Sequence, residues 1–309
     1  MTGALVVDKP AGPTSHDVVA RVRRAIRITR IGHTGTLDPL ATGVLPLLVG
    51  RATRLAQFLA SDEKEYVAAI RLGQATPTYD AEERIVRAPD GTLALGQPVP
   101  LPSAMSEADL LAALAGFKGT MWQVPPPFSA KKIGGTPAHR LARRQDPVDI
   151  RPAQVTVREL ELLAYDGGLA TVRLACSSGF YVRSLAHDLG QRLGCGAHLE
   201  GLQRTRAGDF RLAQSVPLET IEREGPGALA RLVPMPALLP RLPHVVVNDR
   251  GARRASHGNA LAREDLRETD PSLPAAGAGP VRVLDQEGAL IAIGHVSGGG
   301  LLQPVVVLV

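Results

Sequence analysis

Apolar side chains come along this chain in short, punctuated groups. Residues 5–7 form an opening strand that the Lys-Pro-Ala-Gly-Pro turn after it cannot continue. Beyond Ser15, read as an N-cap, Val18, Val19, Val22, Ala25 and Ile26 recur at helical spacing, while Arg21, Arg23, Arg24 and Arg27 project elsewhere. Residues 32–50 are dense in Gly, Thr and Pro before they turn apolar, which predicts a loop leading into a buried strand. Residues 51–59 read as a helix, 66–72 as a partly alternating strand, and 74–102 as a loop-rich stretch. Ser106, with Asp109 at the capping-box position, starts a helix whose apolar face is Leu110, Leu111, Leu114 and Phe117.

The second half repeats the mixture. Residues 154–165 and 169–176 pattern as an antiparallel strand pair turning at Asp166-Gly167-Gly168, and a helix is expected over 181–193. The Pro-rich run VPMPALLPRLPH marks a boundary near residue 240, after which short strands separated by Gly suggest a small β-barrel appendage. The pattern predicts strands and helices intermixed over 1–240 and a small β-rich domain over 241–309.

Composition sharpens this. The 309 residues carry 44% hydrophobic side chains, enough to bury a core, but only 3% aromatic ones, so that core is aliphatic. The net charge is +5, and between residues 118 and 158 eight basic residues face two acidic ones, a local excess of six inside a Pro/Gly-rich insertion. That distribution points to an anionic partner gripped by a basic loop. Two cysteines, Cys176 and Cys195, are too few for a disulfide framework and are expected to be free thiols. No apolar run approaches a membrane span and the N-terminus has no leader pattern, so a soluble cytoplasmic protein is expected.

Several chemistries lose ground at once. The sequence contains no GxxxxGK[ST], no GxGxxG after a strand, no HExxH and no GxSxG. His33, His187 and His198 lack metal-ligand spacing, and no cofactor is expected. Asp38 stands out because it lies in a Gly- and Thr-dense loop and precedes Pro39; taken alone it is either an Asx-turn residue or a held carboxylate. Tyr181 and Arg183, in CSSGFYVRSLAHDLG, stand where a strand meets a helix behind short side chains that leave room for a ligand.

The run GHTGTLDPLATGVLP closely resembles the catalytic-loop signature of the TruB-type tRNA pseudouridine-55 synthases. VDKPAGPTSHDVV, KEYVAAIRLG, PPPFSAKKIGGTPAHRLAR, SSGFYVRSLAHDLG and GCGAHLEGLQRTRAG follow the family's other landmarks, over roughly residues 4–220. The resemblance implies the α+β pseudouridine synthase fold, a mixed, largely antiparallel sheet flanked by helices and loops, with a C-terminal PUA-type domain, and a monomer acting on the T arm of tRNA without a protein partner. It puts Asp38 at the catalytic aspartate, Tyr66 at the tyrosine that stacks on the target base, and Arg183 at the arginine paired with the carboxylate. His33 matches a histidine near the flipped nucleotides, Tyr181 and Leu202 the lining of the uracil pocket, and Lys9 with Pro10 the N-terminal Lys-Pro motif. Lys131 and Lys132 lie in the basic insertion, about 124–152, expected to contact phosphates as a thumb. Phe180 departs from the Thr of many relatives; altered packing and no loss of activity are expected. Two other readings compete: a guide-RNA-dependent synthase with the same Asp loop, and an RNA-binding or RNA-folding protein with vestigial catalysis.

Overall fold

The strand Gly3–Lys9 alternates two buried faces. Leu5 and Val7 point into one core, and Ala4 and Val6 into another. In the computed structural model, which describes all residues except 61, 82–84, 88–92, 96–105, 130, 134, 145–149, 270–274 and 278, this strand lies near one end of an eleven-stranded sheet. Next to it comes Thr42–Val49, antiparallel, and then Ala197–Ala207, joined to Thr42–Val49 by a short parallel seam. Lys64–Leu72, Leu169–Cys176, Ala153–Asp166 and Gly119–Gln123 complete the path, each antiparallel to its neighbour. The sheet is mixed and largely antiparallel, as the family resemblance implies.

Local chemistry explains the edges of these elements. Lys64–Leu72 buries every second side chain, which sets Tyr66, Ala68, Ile70 and Leu72 on the core face. The hairpin between Ala153–Asp166 and Leu169–Cys176 turns on Gly167 and Gly168, with φ of 52° and 80°. Two consecutive positive φ values are the two-residue turn whose twist matches the strands, and glycine reaches them without a Cβ clash.

Helix boundaries depart from the expectation in two places. Thr14, not Ser15, caps the helix Ser15–Ile26: its Oγ1 accepts from Asp17 N, and the Asp17 carboxylate accepts from Thr14 N. Residues 50–60 are a 3₁₀ segment, Gly50–Leu55, followed by the short helix Ala56–Ala60. Ser106 and Asp109 form the expected capping box on Glu107–Ala115, and Val182–Arg192 is the helix expected over 181–193.

The expected loop over 74–102 falls partly outside the described residues; within it Ile85–Arg87 pairs with Leu93–Leu95. In the 124–152 insertion, Lys132–Ile133 pairs with Thr136–Pro137 and leads into the helix Ala138–Arg143. Past residue 240 a second sheet orders its strands as Leu266–Thr269, His244–Val247, Pro280–Leu284, Leu290–Val296 and Leu302–Val307. The strand texture of the sequence does not anticipate the helix Asp249–Ser256 among them. Leu290 and Ile293 of this second sheet, with Leu308 just past its last strand, share one apolar cluster with Ala4, Val6, Val44 and Leu48 of the first. Among the described residues no helix is long and apolar enough to cross a membrane.

Candidate active site

The loop between Ile31–His33 and Thr42–Val49 is fixed from three sides. Ser15, displaced from capping, bridges it: its Oγ donates to Leu37 O at 3.0 Å and accepts from Leu37 N at 2.8 Å. Lys9 is fully buried, and its ammonium donates to Pro10 O, Pro39 O and Ala41 O at 3.0, 3.0 and 2.6 Å. Arg204, also buried, donates from Nε to Val44 O at 2.7 Å and from Nη2 to Gly35 O at 3.1 Å. Gly43 makes this approach possible, because a Cβ there would stand 2.3 Å from Arg204 O. The carboxylate of Asp38 is thereby held by backbone anchors on both flanks.

Arg183 faces it from the first turn of Val182–Arg192. Its Nη2 donates to Asp38 Oδ1 at 2.9 Å, and its Nε stands 2.9 Å from Oδ2. The same guanidinium lies 3.4 Å from Asp80 Oδ2 and donates to Thr78 O at 3.2 Å. Asp80 is in turn held by Thr78, whose Oγ1 donates to Oδ1 at 2.6 Å. Exposure separates the two carboxylates: the Asp38 side chain is 31% exposed and that of Asp80 3%. Asp38 is the one a ligand can reach, and Asp80 holds Arg183 from behind.

A cleft of about 730 Å³ opens in front of this pair. Tyr66, Tyr181, Leu202, Phe180 and Lys64 line it, and burial pushes the phenols of Tyr66 and Tyr181 up. The Arg204 charge opposes the upward push of burial on the Tyr66 phenol, so one buried cation serves both the Asp38 loop and Tyr66. Gln123 clamps the main chain of Tyr181, accepting from its N at 2.8 Å and donating to its O at 3.0 Å. Lys64 donates to Ala60 O at 2.6 Å and to Asp62 O, and burial pushes its ammonium down to about 8.

The structure thus brings together Asp38, Arg183, Tyr66, Tyr181 and Leu202. Lys9 does not reach the cleft; it lies beneath the Asp38 loop and holds it. His33 is not among the cleft-lining residues, but packs edge-on, 5.4 Å between centroids, against His16, which is; burial and His16 push His33 down. Lys131 is exposed in the insertion, and Lys132 lies in Lys132–Ile133. Sequence reasoning missed Asp80, Arg204, Lys64 and Gln123. Lys64 could have been found from the alternation that places Tyr66, since both fall on one face of the strand.

Family models decide the kinship. Residues 23–182 match the N-terminal domain of the TruB family of pseudouridylate synthases, and residues 183–233 match the C-terminal domain of tRNA pseudouridylate synthase B. The chain belongs to the TruB family. TruB relatives named tRNA pseudouridine synthase B run along its length: the protein of Solibacter usitatus is 43% identical with full coverage of both chains, and that of Stutzerimonas stutzeri is 40% identical over 98% of this chain and 94% of the other. Among solved structures, the TruB fold seen here is similar to an archaeal box H/ACA sRNP Nop10-Cbf5 complex, with TM-score 0.72, 25% identity, and coverage of 99% of this chain and 86% of that one.

Proposed function

We propose that this chain is a tRNA pseudouridine synthase that isomerises the T-loop uridine at position 55. The observation that carries the reading is Asp38, half-exposed at the cleft and bound to a buried Arg183, in a chain whose 40% identical relatives are named tRNA pseudouridine synthase B along their whole length.

The reaction breaks the N1 glycosidic bond of uridine, turns the uracil, joins C5 to the same sugar carbon and releases the C5 hydrogen as a proton, while N1 takes up a proton. No electrons are exchanged with an outside group. A carboxylate beside the ribose and base serves as nucleophile or charge stabiliser, and the Arg183 guanidinium, 2.9 Å away, holds Asp38 in place when the docked base excludes water. A stacked uridine must first be turned out, at a cost of a few kcal/mol. Packing against Tyr66, with Leu202 and Tyr181 closing the pocket, returns about 1–3 kcal/mol. The remainder falls to phosphate contacts from the 124–152 thumb, with Lys131 and Lys132 in it, and His33 near the flipped nucleotide. Residues 1–240 are assigned to catalysis and 241–309 to a PUA-like RNA-binding domain. The enzyme acts as a monomer in the cytoplasm on the T arm of tRNA.

The experiment uses an unmodified tRNA transcript with tritium at uracil C5, with no cofactor or guide RNA. Tritium release by the wild type and none by Asp38→Asn is the expected result. Tight tRNA binding without release by either protein overturns the reading in favour of a guide-dependent synthase or a non-catalytic RNA-binding protein. Protection of residues 124–152 from proteolysis on adding tRNA is expected of the thumb.

A further inference from the structure

Asp80 sits at the end of a turn, Thr76 to Asp80, that belongs to no strand or helix yet is gripped on two sides. On one side it is laced to Ala197–Ala207: Leu199 N donates to Tyr79 O at 2.9 Å and Ala81 N donates to Leu199 O at 3.0 Å. On the other it faces Val182–Arg192. There Arg183 reaches Thr78 O and the Asp80 carboxylate, the residues on either side of Tyr79.

Tyr79 itself meets the next turn of that helix. Its ring lies parallel to the imidazole of His187, with centroids 3.8 Å apart and planes at 12°. His187 follows Arg183 by one helical turn, so the two side chains leave the helix on the same face. Among the described residues Nδ1 of His187 is buried without a hydrogen-bond partner, and the tyrosine ring is stacked on the imidazole there. Tyr79 also has φ of 64°, a left-handed conformation that a bulky side chain keeps only where its surroundings enforce it.

We propose that the Tyr79–His187 stack is a positioning contact for the reaction: it seats the turn that carries Asp80 and, through Arg183, sets the orientation of Asp38. The inference rests on the reading of Asp38 as the catalytic carboxylate. Tyr79 and His187 are positioning residues and touch no substrate. Asp80 contacts Arg183 across 3.4 Å, at the long end for an ion pair, so a displaced turn releases the guanidinium and with it the Asp38 carboxylate. Misplacement of a catalytic group by about 1 Å costs on the order of 100-fold in rate, which leaves the stack ample leverage.

The test compares Tyr79→Asn, which accepts the left-handed φ but removes the ring, with Tyr79→Phe and His187→Phe, which keep two stacked rings. Tritium release at saturating tRNA reads kcat, and filter binding reads tRNA affinity. Tyr79→Asn is expected to lower kcat roughly tenfold or more with tRNA affinity and circular dichroism unchanged, while both Phe variants restore turnover. A Tyr79→Asn, Asp80→Asn double variant is expected to be no slower than Asp80→Asn alone, because both changes act through the same guanidinium. Wild-type turnover in Tyr79→Asn, a loss confined to tRNA affinity, or independent multiplication of the two defects overturns the inference. Absence of release from the wild type itself overturns the proposed function and this inference together, a distinguishable result.

Discussion

Arg183 holds two carboxylates at once, Asp38 with two contacts of 2.9 Å and Asp80 at 3.4 Å. One guanidinium between two carboxylates leaves the more exposed of them, Asp38, open to the cleft. Asp80→Asn removes the anion behind Arg183 while leaving tRNA-facing groups in place. Turnover is expected to fall by about 10 to 100-fold with tRNA affinity nearly unchanged, measured by tritium release and filter binding. Equal losses in both quantities would count against the arrangement.

Ser15 and Thr14 are adjacent hydroxyls with different work. Thr14→Ala removes an exposed cap and is expected to cost about 1 kcal/mol in unfolding free energy with turnover retained. Ser15→Ala leaves the buried Leu37 N–H without its partner and is expected to cost about 1–3 kcal/mol and to slow turnover as well, because Leu37 adjoins Asp38. Urea unfolding beside tritium release separates the two.

Arg204→Met strips donors from Gly35 and Val44 and removes the cation acting on the Tyr66 phenol in one step. Each buried acceptor left unpaired costs about 1–3 kcal/mol, so a marked drop in the urea midpoint is expected, together with loss of turnover. Arg204→Lys, with its single-point ammonium, is expected to recover only part of both, since it cannot reproduce the planar fork.

Lys64 sets a pH dependence. Its ammonium titrates at about 8, below the usual value near 10.4, because burial disfavours the charge. Raising pH through about 8 removes one positive charge from the cleft wall, so tRNA affinity at fixed salt is expected to weaken there. Lys64→Arg, always charged, is expected to abolish that inflection. For stability the sign is opposite: between about 8 and 10.4 the unfolded chain binds the proton that the folded chain has lost, so this group's contribution rises with pH. Affinity titrations of the two proteins from neutral to alkaline pH check the first statement.

The sequence made local chemistry visible and left partnerships across the chain hidden. The Ser106–Asp109 cap, the Gly167-Gly168 turn and the Tyr66 strand follow from spacing, since each is a relation among near neighbours. Asp38 stood out by its loop, but the loop alone left it between an Asx turn and a held carboxylate, and only the family resemblance favoured the second. Thr14 lost the cap to Ser15 in the reading because either hydroxyl can cap; Asp17, at the third helical position counted from Thr14, decides between them. Asp80 carries no local pattern, and its meaning depends on Arg183, which only the fold brings within reach. Lys9 presents the reverse case: a cation beside a motif reads as a ligand contact until its three carbonyl partners are seen.

The apolar cluster shared by the two sheets changes what cutting the chain near residue 240 would do. Such a cut removes Leu290, Ile293 and Leu308 from the back of Ala4, Val6, Val44 and Leu48. Those four side chains sit on the strands that carry Lys9 and Gly43, the anchors of the Asp38 loop. A shortened protein would therefore present a sticky surface directly behind the Asp38 loop, and the tail serves the first sheet as a foundation as much as an appendage.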